Sequence, residues 1–331
     1  MKKLILLILV MLLTVGLLAG CGQAKSEKVK TGLAVITAVD KSTHAGTQAG
    51  LAQIDATVVA VTVDNKGKIV KCVIDAVQSR INFDASGKII TPLATVFPSK
   101  NELAEGYGMK RASAIGKEWH EQAAALAKYV EGKTIDEVKT IAVDAGKRPI
   151  GSDLKASVTI AIGDYIAAIE KAVAQAQELG ATSADQLRLG IVTTMANSVN
   201  AGERLGLAEA YSTYVAITQN AKGTITSCVI DATQGRVNFD PSGRITTDLT
   251  ARIKSKNELG DGYGMKRAST IGKEWHEQAA AFARYVTGKT PAEVAGIAVD
   301  AGKRPVDRDL QATVTVGIGD FQAALAKAAG Q

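Results

Sequence analysis

Residues Lys100–Thr134 read KNELAEGYGMKRASAIGKEWHEQAAALAKYVEGKT, and Lys256–Thr290 read KNELGDGYGMKRASTIGKEWHEQAAAFARYVTGKT. The two stretches differ only at 104, 105, 114, 126, 128 and 131, each against the residue 156 places later. The same offset holds outward with no insertion: Leu33 pairs with Leu189, Cys72 with Cys228, Thr159 with Thr315. A period this long is a whole domain, since solenoid repeats run to about 20–50 residues. The pattern predicts two tandem copies of one α+β domain, 31–177 and 187–331, joined by a linker at 178–186 (ELGATSADQ). Drift is uneven: 41–66 and 197–222 match loosely, whereas 100–134 is nearly unchanged. Either this segment packs tightly in both copies, or each copy keeps a working site there.

Within each copy the β signals come first. Asp55–Val63 is rich in Val and Thr, Asn65-Lys66-Gly67 is a turn, and Ile69–Val77 reads as a returning strand. Asp84-Ala85-Ser86-Gly87, with Asp240-Pro241-Ser242-Gly243 as its copy, reads as a second hairpin-like turn beside Ile81-Asn82-Phe83. A small antiparallel sheet is expected, with helices packed on it. Trp119, Ala123, Leu126 and Val130 recur at helical spacing, in a helix expected to start near Ser113 and to end at Gly132. Thr134 with Glu137, and Thr290 with Glu293 and Pro291, are capping boxes for a second helix. A last helix is expected from about Ile160 to Gln177.

The N-terminus reads MKKLILLILVMLLTVGLLAGCGQAKSEKVK. Lys2 and Lys3 form a positive region, and Leu4–Leu18 is an apolar run of signal-peptide length. It ends in Leu18-Ala19-Gly20-Cys21, which resembles the bacterial lipobox. This predicts a signal peptide over 1–20, lipidation at Cys21 and a polar tether over 21–30. The mature chain is then held at the cell membrane, facing out of the cytoplasm, with membrane lipid as its first partner.

The formal net charge is +6, spread over both copies, and aromatic residues make up 4%. So few rings provide no stacking platform for nucleic acid. Cys72 and Cys228 lie at equivalent places in strand-like runs and read as small buried side chains. There is no Cys-x-x-Cys pair and no His/Cys cluster for a metal; His44, His120 and His276 read as surface or boundary residues. No nucleophile–His–acid set stands out, so a binding or electron-carrier protein is expected rather than an enzyme.

The basic loop Asp144-Ala145-Gly146-Lys147-Arg148-Pro149 leads into Asp153-Leu154-Lys155-Ala156-Ser157-Val158-Thr159. With the strand–turn–strand start and helical middle, this order resembles the FMN-binding domain of bacterial membrane flavoproteins and of two-domain lipoproteins of extracellular electron transfer. It is also similar to the treponemal major membrane immunogen lipoproteins. In the flavin family the last motif reads Asp-x-x-Ser/Thr-Gly-Ala-Thr, and its final Thr can carry FMN through a phosphoester bond. Asp153 and Thr159 match its ends, as do Asp309 and Thr315, while Ala156-Ser157-Val158 and Ala312-Thr313-Val314 stand between them.

The resemblance implies FMN at these threonines, with Lys147 and Arg148, or Lys303 and Arg304, available to a phosphate at a helix start. Tyr107, Met109 and Lys110, with Tyr263, Met265 and Lys266, form a glycine-flanked aromatic and basic cluster that would rim a ligand pocket. Two functions follow. One is a lipoprotein binding FMN or a similar phosphate-bearing ligand and passing electrons to a membrane or surface redox partner. The alternative is a flavin-free envelope, adhesive or ligand-sensing lipoprotein.

Overall fold

A computed structural model describes residues 26–330; the signal peptide and Cys21 lie outside the described residues. The first three strands are β1 (Lys30–Ala38), β2 (Gly50–Val63) and β3 (Ile69–Phe83), an antiparallel meander in the order β1-β2-β3. The Asn65-Lys66-Gly67 turn forms as expected, with the Asp64 carboxylate accepting from the Lys66 and Lys68 amides, both at 2.8 Å. The strands are longer than the sequence suggested. β3 runs straight through Ile81-Asn82-Phe83, and the expected Asp84–Gly87 turn forms after it, with the Gly87 amide donating to the Asp84 carbonyl at 3.1 Å and the Ile90 amide to the Asn82 carbonyl at 2.8 Å.

Helices follow: α1 (Lys100–Leu103), a 3-10 turn (Ala104–Tyr107), α2 (Trp119–Val130), α3 (Ile135–Lys139), α4 (Ser152–Lys155) and α5 (Gly163–Ala174). The layout then repeats. β4 (Gln186–Thr194), β5 (Gly206–Gln219) and β6 (Ile225–Phe239) form a second meander. After it come α6 (Lys256–Leu259), a 3-10 turn (Gly260–Tyr263), α7 (Trp275–Val286), α8 (Pro291–Ala295), α9 (Arg308–Gln311) and α10 (Gly319–Ala329). The Thr134–Glu137 and Thr290–Glu293 capping boxes are both made.

Two helix starts differ from expectation. α2 begins at Trp119, not near Ser113, because the Ser113 hydroxyl instead accepts from the Lys117 amide in the preceding turn. α5 begins at Gly163, three residues after Ile160, because the amides of Thr159 and Ile160 are tied elsewhere, as described below.

Side chains along β2 alternate strictly. Ala52, Ile54, Ala56, Val58 and Ala60 enter one core, while Val59, Val61 and Val63 enter another. The second of these lies under α2 and α5, with Trp119, Leu126 and Ile169 in it. The first is shared between the halves: it combines Leu33, Ile54 and Phe83 with Ile191, Tyr214 and Phe239. A third core lies under α7 and α10. The molecule is therefore layered helix–sheet–sheet–helix, with both faces of each sheet covered. Gly32 and Gly190 permit this thickness: a Cβ on either would collide with the carbonyl of Ala172 or Ala324 on the helix above.

The halves are tied reciprocally. Phe83 and Phe239 stack with centroids 4.2 Å apart. Lys171 on α5 pairs with Glu258 on α6 at 2.7 Å, and Lys327 on α10 pairs with Glu102 on α1 at 2.6 Å. The Ile245 amide donates to His44 Nδ1 and the Ile89 amide to Asn200 Oδ1, both at 2.9 Å. His44 and Asn200 are equivalent positions, so their different side chains accept the same kind of bond. The stretch expected as linker is part of this seam. Ala181 is buried, and the Val29 amide donates to its carbonyl at 3.1 Å. Ser183 likewise donates to Glu27, so the end of the expected tether is held in the fold.

Candidate functional site

The nearly identical segments converge on the N-terminal end of α2, and of α7 in the second half. Glu118, the residue before α2, is buried, and its carboxylate accepts from the amides of Met109 and Lys110 at 2.8 and 3.0 Å. One turn on, Gln122 is completely buried. Its Oε1 accepts from the Thr159 amide at 2.8 Å, the Thr159 hydroxyl at 3.2 Å and the Ile160 amide at 3.3 Å. Its Nε2 donates to Ser113 Oγ and to the Lys117 carbonyl. Glu274 and Gln278 repeat every one of these bonds with Met265, Lys266, Thr315, Val316, Ser269 and Lys273. One helix end thus brings together both sequence-predicted groups, the Tyr107–Lys110 loop and Thr159.

In this arrangement the donors of the Thr159 and Thr315 turns are engaged by a buried amide oxygen. A phosphate at that place would have to displace Gln122 or Gln278 and leave its amide unsatisfied in the core, a cost of about 1–3 kcal/mol. Asp153 and Asp309, the other ends of the motif, are exposed. Asp153 accepts from the Ser152 hydroxyl, and its carboxylate makes no bond to Thr159 among the described residues. Lys147 does come close: its carbonyl accepts from the Ile162 amide at 2.8 Å, and its stem lies against Gly163. Lys110 is exposed and Met109 half-buried.

Beside this turn sits a lysine that the sequence reading did not single out. Lys256 Nζ lies 4.5–4.8 Å from the ring centroids of Tyr211, Tyr263 and Trp275 and donates to Tyr211 Oη at 2.7 Å. It is 4% exposed, and burial lowers its pKa to about 8. The rings and the phenol oxygen offset part of the burial cost of the cation. Lys100 sits over Tyr107 and Trp119 at 4.5 and 5.1 Å, but the third ring is missing, since Asp55 stands where Tyr211 does. These lysines anchor the 3-10 turn to the helix: rings flank the amine, and among the described residues no carboxylate forms an ion pair with it. Tyr107 and Tyr263, expected at a pocket rim, are walls of these boxes.

Cys72 and Cys228 are free and buried, and burial pushes both thiols up, Cys228 to about 12. Among the described residues no group of His, Cys, Asp and Glu could hold a metal ion, and no helix is long and apolar enough to cross a membrane. Glu118 and Gln122 carried one legible signal: both stand unchanged as Glu274 and Gln278 in the nearly identical copy.

No family model matches the chain, and no solved structure matches it. Among curated proteins it is similar to a chlorophenol reductase of Desulfitobacterium hafniense, 33% identical over 97 residues. That match covers 26% of this chain and 30% of the reductase, so the chain spans less than a third of the relative it matches.

Proposed function

We propose that this chain is a lipid-anchored, extracytoplasmic binding module built from a duplicated domain of FMN-binding-like layout, in which the threonine turns are structural and carry no flavin. Cys21 is its anchor and the outer side of the cell membrane its place. The observation that carries the reading is the convergence of the Thr159 amide, the Thr159 hydroxyl and the Ile160 amide on Gln122 Oε1, repeated by Thr315, Val316 and Gln278. A side-chain amide here takes the donors that a flavin phosphate would use. The side chains of Ser157 and Thr313, where the flavin family has glycine, support the same reading.

A second reading keeps FMN and an electron-carrier role with a membrane or surface redox partner. It is favoured by the Asp-to-Thr spacing kept in both halves and by the partial similarity to a protein named as a reductase. An absorbance spectrum of the exported, processed protein, made alongside flavin-transfer machinery, separates the two. A colourless protein that does not take up added FMN is the expected result. Flavin bands that survive denaturation and vanish in Thr159→Ala plus Thr315→Ala would overturn it.

A further inference from the structure

Two of the six differences between the otherwise identical segments fall on one face of α7 and its C-cap. Lys128 becomes Arg284 and Glu131 becomes Thr287. In the first half Lys128 and Glu131 pair with each other at 2.6 Å. In the second half the carboxylate is gone, and Arg284 makes no ion pair among the described residues. Arg284 and Thr287 both line a cavity of about 550 Å³ at the seam between the halves.

One wall of this cavity is the side of α7 turned away from Gln278; the other is Leu33 on β1 and the segment between α5 and β4, at Gln175, Gln177 and Leu179. The mutual backbone bonds between Thr31 and Gln177, at 2.8 and 3.0 Å, hold that second wall in place. Leu33, Leu179, Ile230 and Ala280 make much of the lining apolar, and among the described residues no Asp or Glu lines it. His276 also faces it, and the buried Nδ1 of that ring has no hydrogen-bond partner among the described residues. An apolar cleft of several hundred Å³ with a few convergent polar groups has the form of a small-molecule site.

We propose that this seam cavity binds a small amphiphilic organic anion: a flat or branched apolar body between Leu33, Leu179 and Ala280, with its carboxylate or sulfonate held by Arg284. The loss of the glutamate is the change that opens the site, because it turns a neutral pair into an unpaired cation beside an apolar cleft. A guanidinium holds such oxygens by two parallel hydrogen bonds. The inference rests on the binding-module reading and gives that module its ligand class. It uses none of the threonine-turn residues, so a flavin spectrum and the titration below succeed or fail separately.

The test uses 8-anilinonaphthalene-1-sulfonate as a fluorescent probe on the exported, processed chain. One saturable site is expected, displaced by naphthalene-1-sulfonate and not by the neutral 1-naphthalenemethanol. Thr287→Glu, which restores the carboxylate of the first half at an exposed position, weakens binding by about tenfold or more, as loss of a charge-assisted bond does. Ala280→Trp fills the cleft and abolishes it, while Lys128→Gln in the first half changes nothing. Far-ultraviolet circular dichroism of each variant confirms folding. Absence of a saturable site, equal displacement by the neutral alcohol, or binding unchanged in Thr287→Glu would each overturn the proposal.

Discussion

Lys100 and Lys256 stand in the same tetrapeptide, KNEL, yet in different surroundings. The difference comes from the loosely matched strands. Asp55 accepts from Lys41 and Gln53 in the first half, whereas its counterpart Tyr211 turns its ring and hydroxyl to Lys256. The consequence is a pH dependence carried by Lys256. Below about pH 8 the folded and unfolded chains both hold the ammonium, and burial penalises the folded one. Between about 8 and 10.5 the folded chain gives up the proton first, so the unfolded chain binds more protons and stability rises with pH. The rise is on the order of 2–3 kcal/mol, the shift discounted for the rings that favour the cation. Urea titrations at pH 7 and pH 10 should show this rise in the parent minus the same difference in Lys256→Met. Subtracting the variant removes the opposing contributions of the buried thiols and phenols. Nothing in the local sequence announces this lysine, because the partner that buries it lies 45 positions upstream on another strand.

At the scale of elements, the joints between strand and helix are made by buried carboxylates. Asp75 on β3 accepts from the Ala76 amide at 2.7 Å and from Asn101, in α1, at 3.1 Å. Asn101 returns a bond to the Ile74 carbonyl. Asp231, Ala232 and Asn257 repeat the joint on β6. Burial raises both carboxyls to about 6, against the lowering effect of these amides. The folded chain therefore keeps a proton that the unfolded chain loses near 3.8, and stability falls as pH rises from about 4 to 6. Thermal melts across that window should show a shallower fall in Asp75→Asn plus Asp231→Asn than in the parent, with the helix joint kept by the amide oxygen. The elements themselves were largely legible. The capping boxes at Thr134 and Thr290 and the stripe from Trp119 to Val130 are local patterns, and they formed where local patterns place them. The start of α5 was not legible, because the bonds that hold Thr159 and Ile160 out of the helix come from Gln122, 37 and 38 residues away.

At the scale of the molecule, the two halves that the repeat marks along the chain share a core. β2 and β5 are buried on both faces and carry apolar and small side chains on each, so the pattern bears no mark of which face meets the other half. What meets is a core drawn from both sheets, with Phe83 against Phe239, and a seam of ion pairs from α5 to α6 and α10 to α1. The first half exposes that core if the second unfolds, so the two should melt together. Trp119 and Trp275 report on one half each, deep in the separate outer cores. In a Trp119→Phe background, fluorescence follows Trp275 alone. Phe83→Ala, in the other half, should then lower the urea midpoint seen by Trp275 and by far-ultraviolet circular dichroism equally, for a loss of about 3–5 kcal/mol. A Trp275 midpoint that stays in place while the circular dichroism splits into two steps would mean that the halves are independent domains in contact.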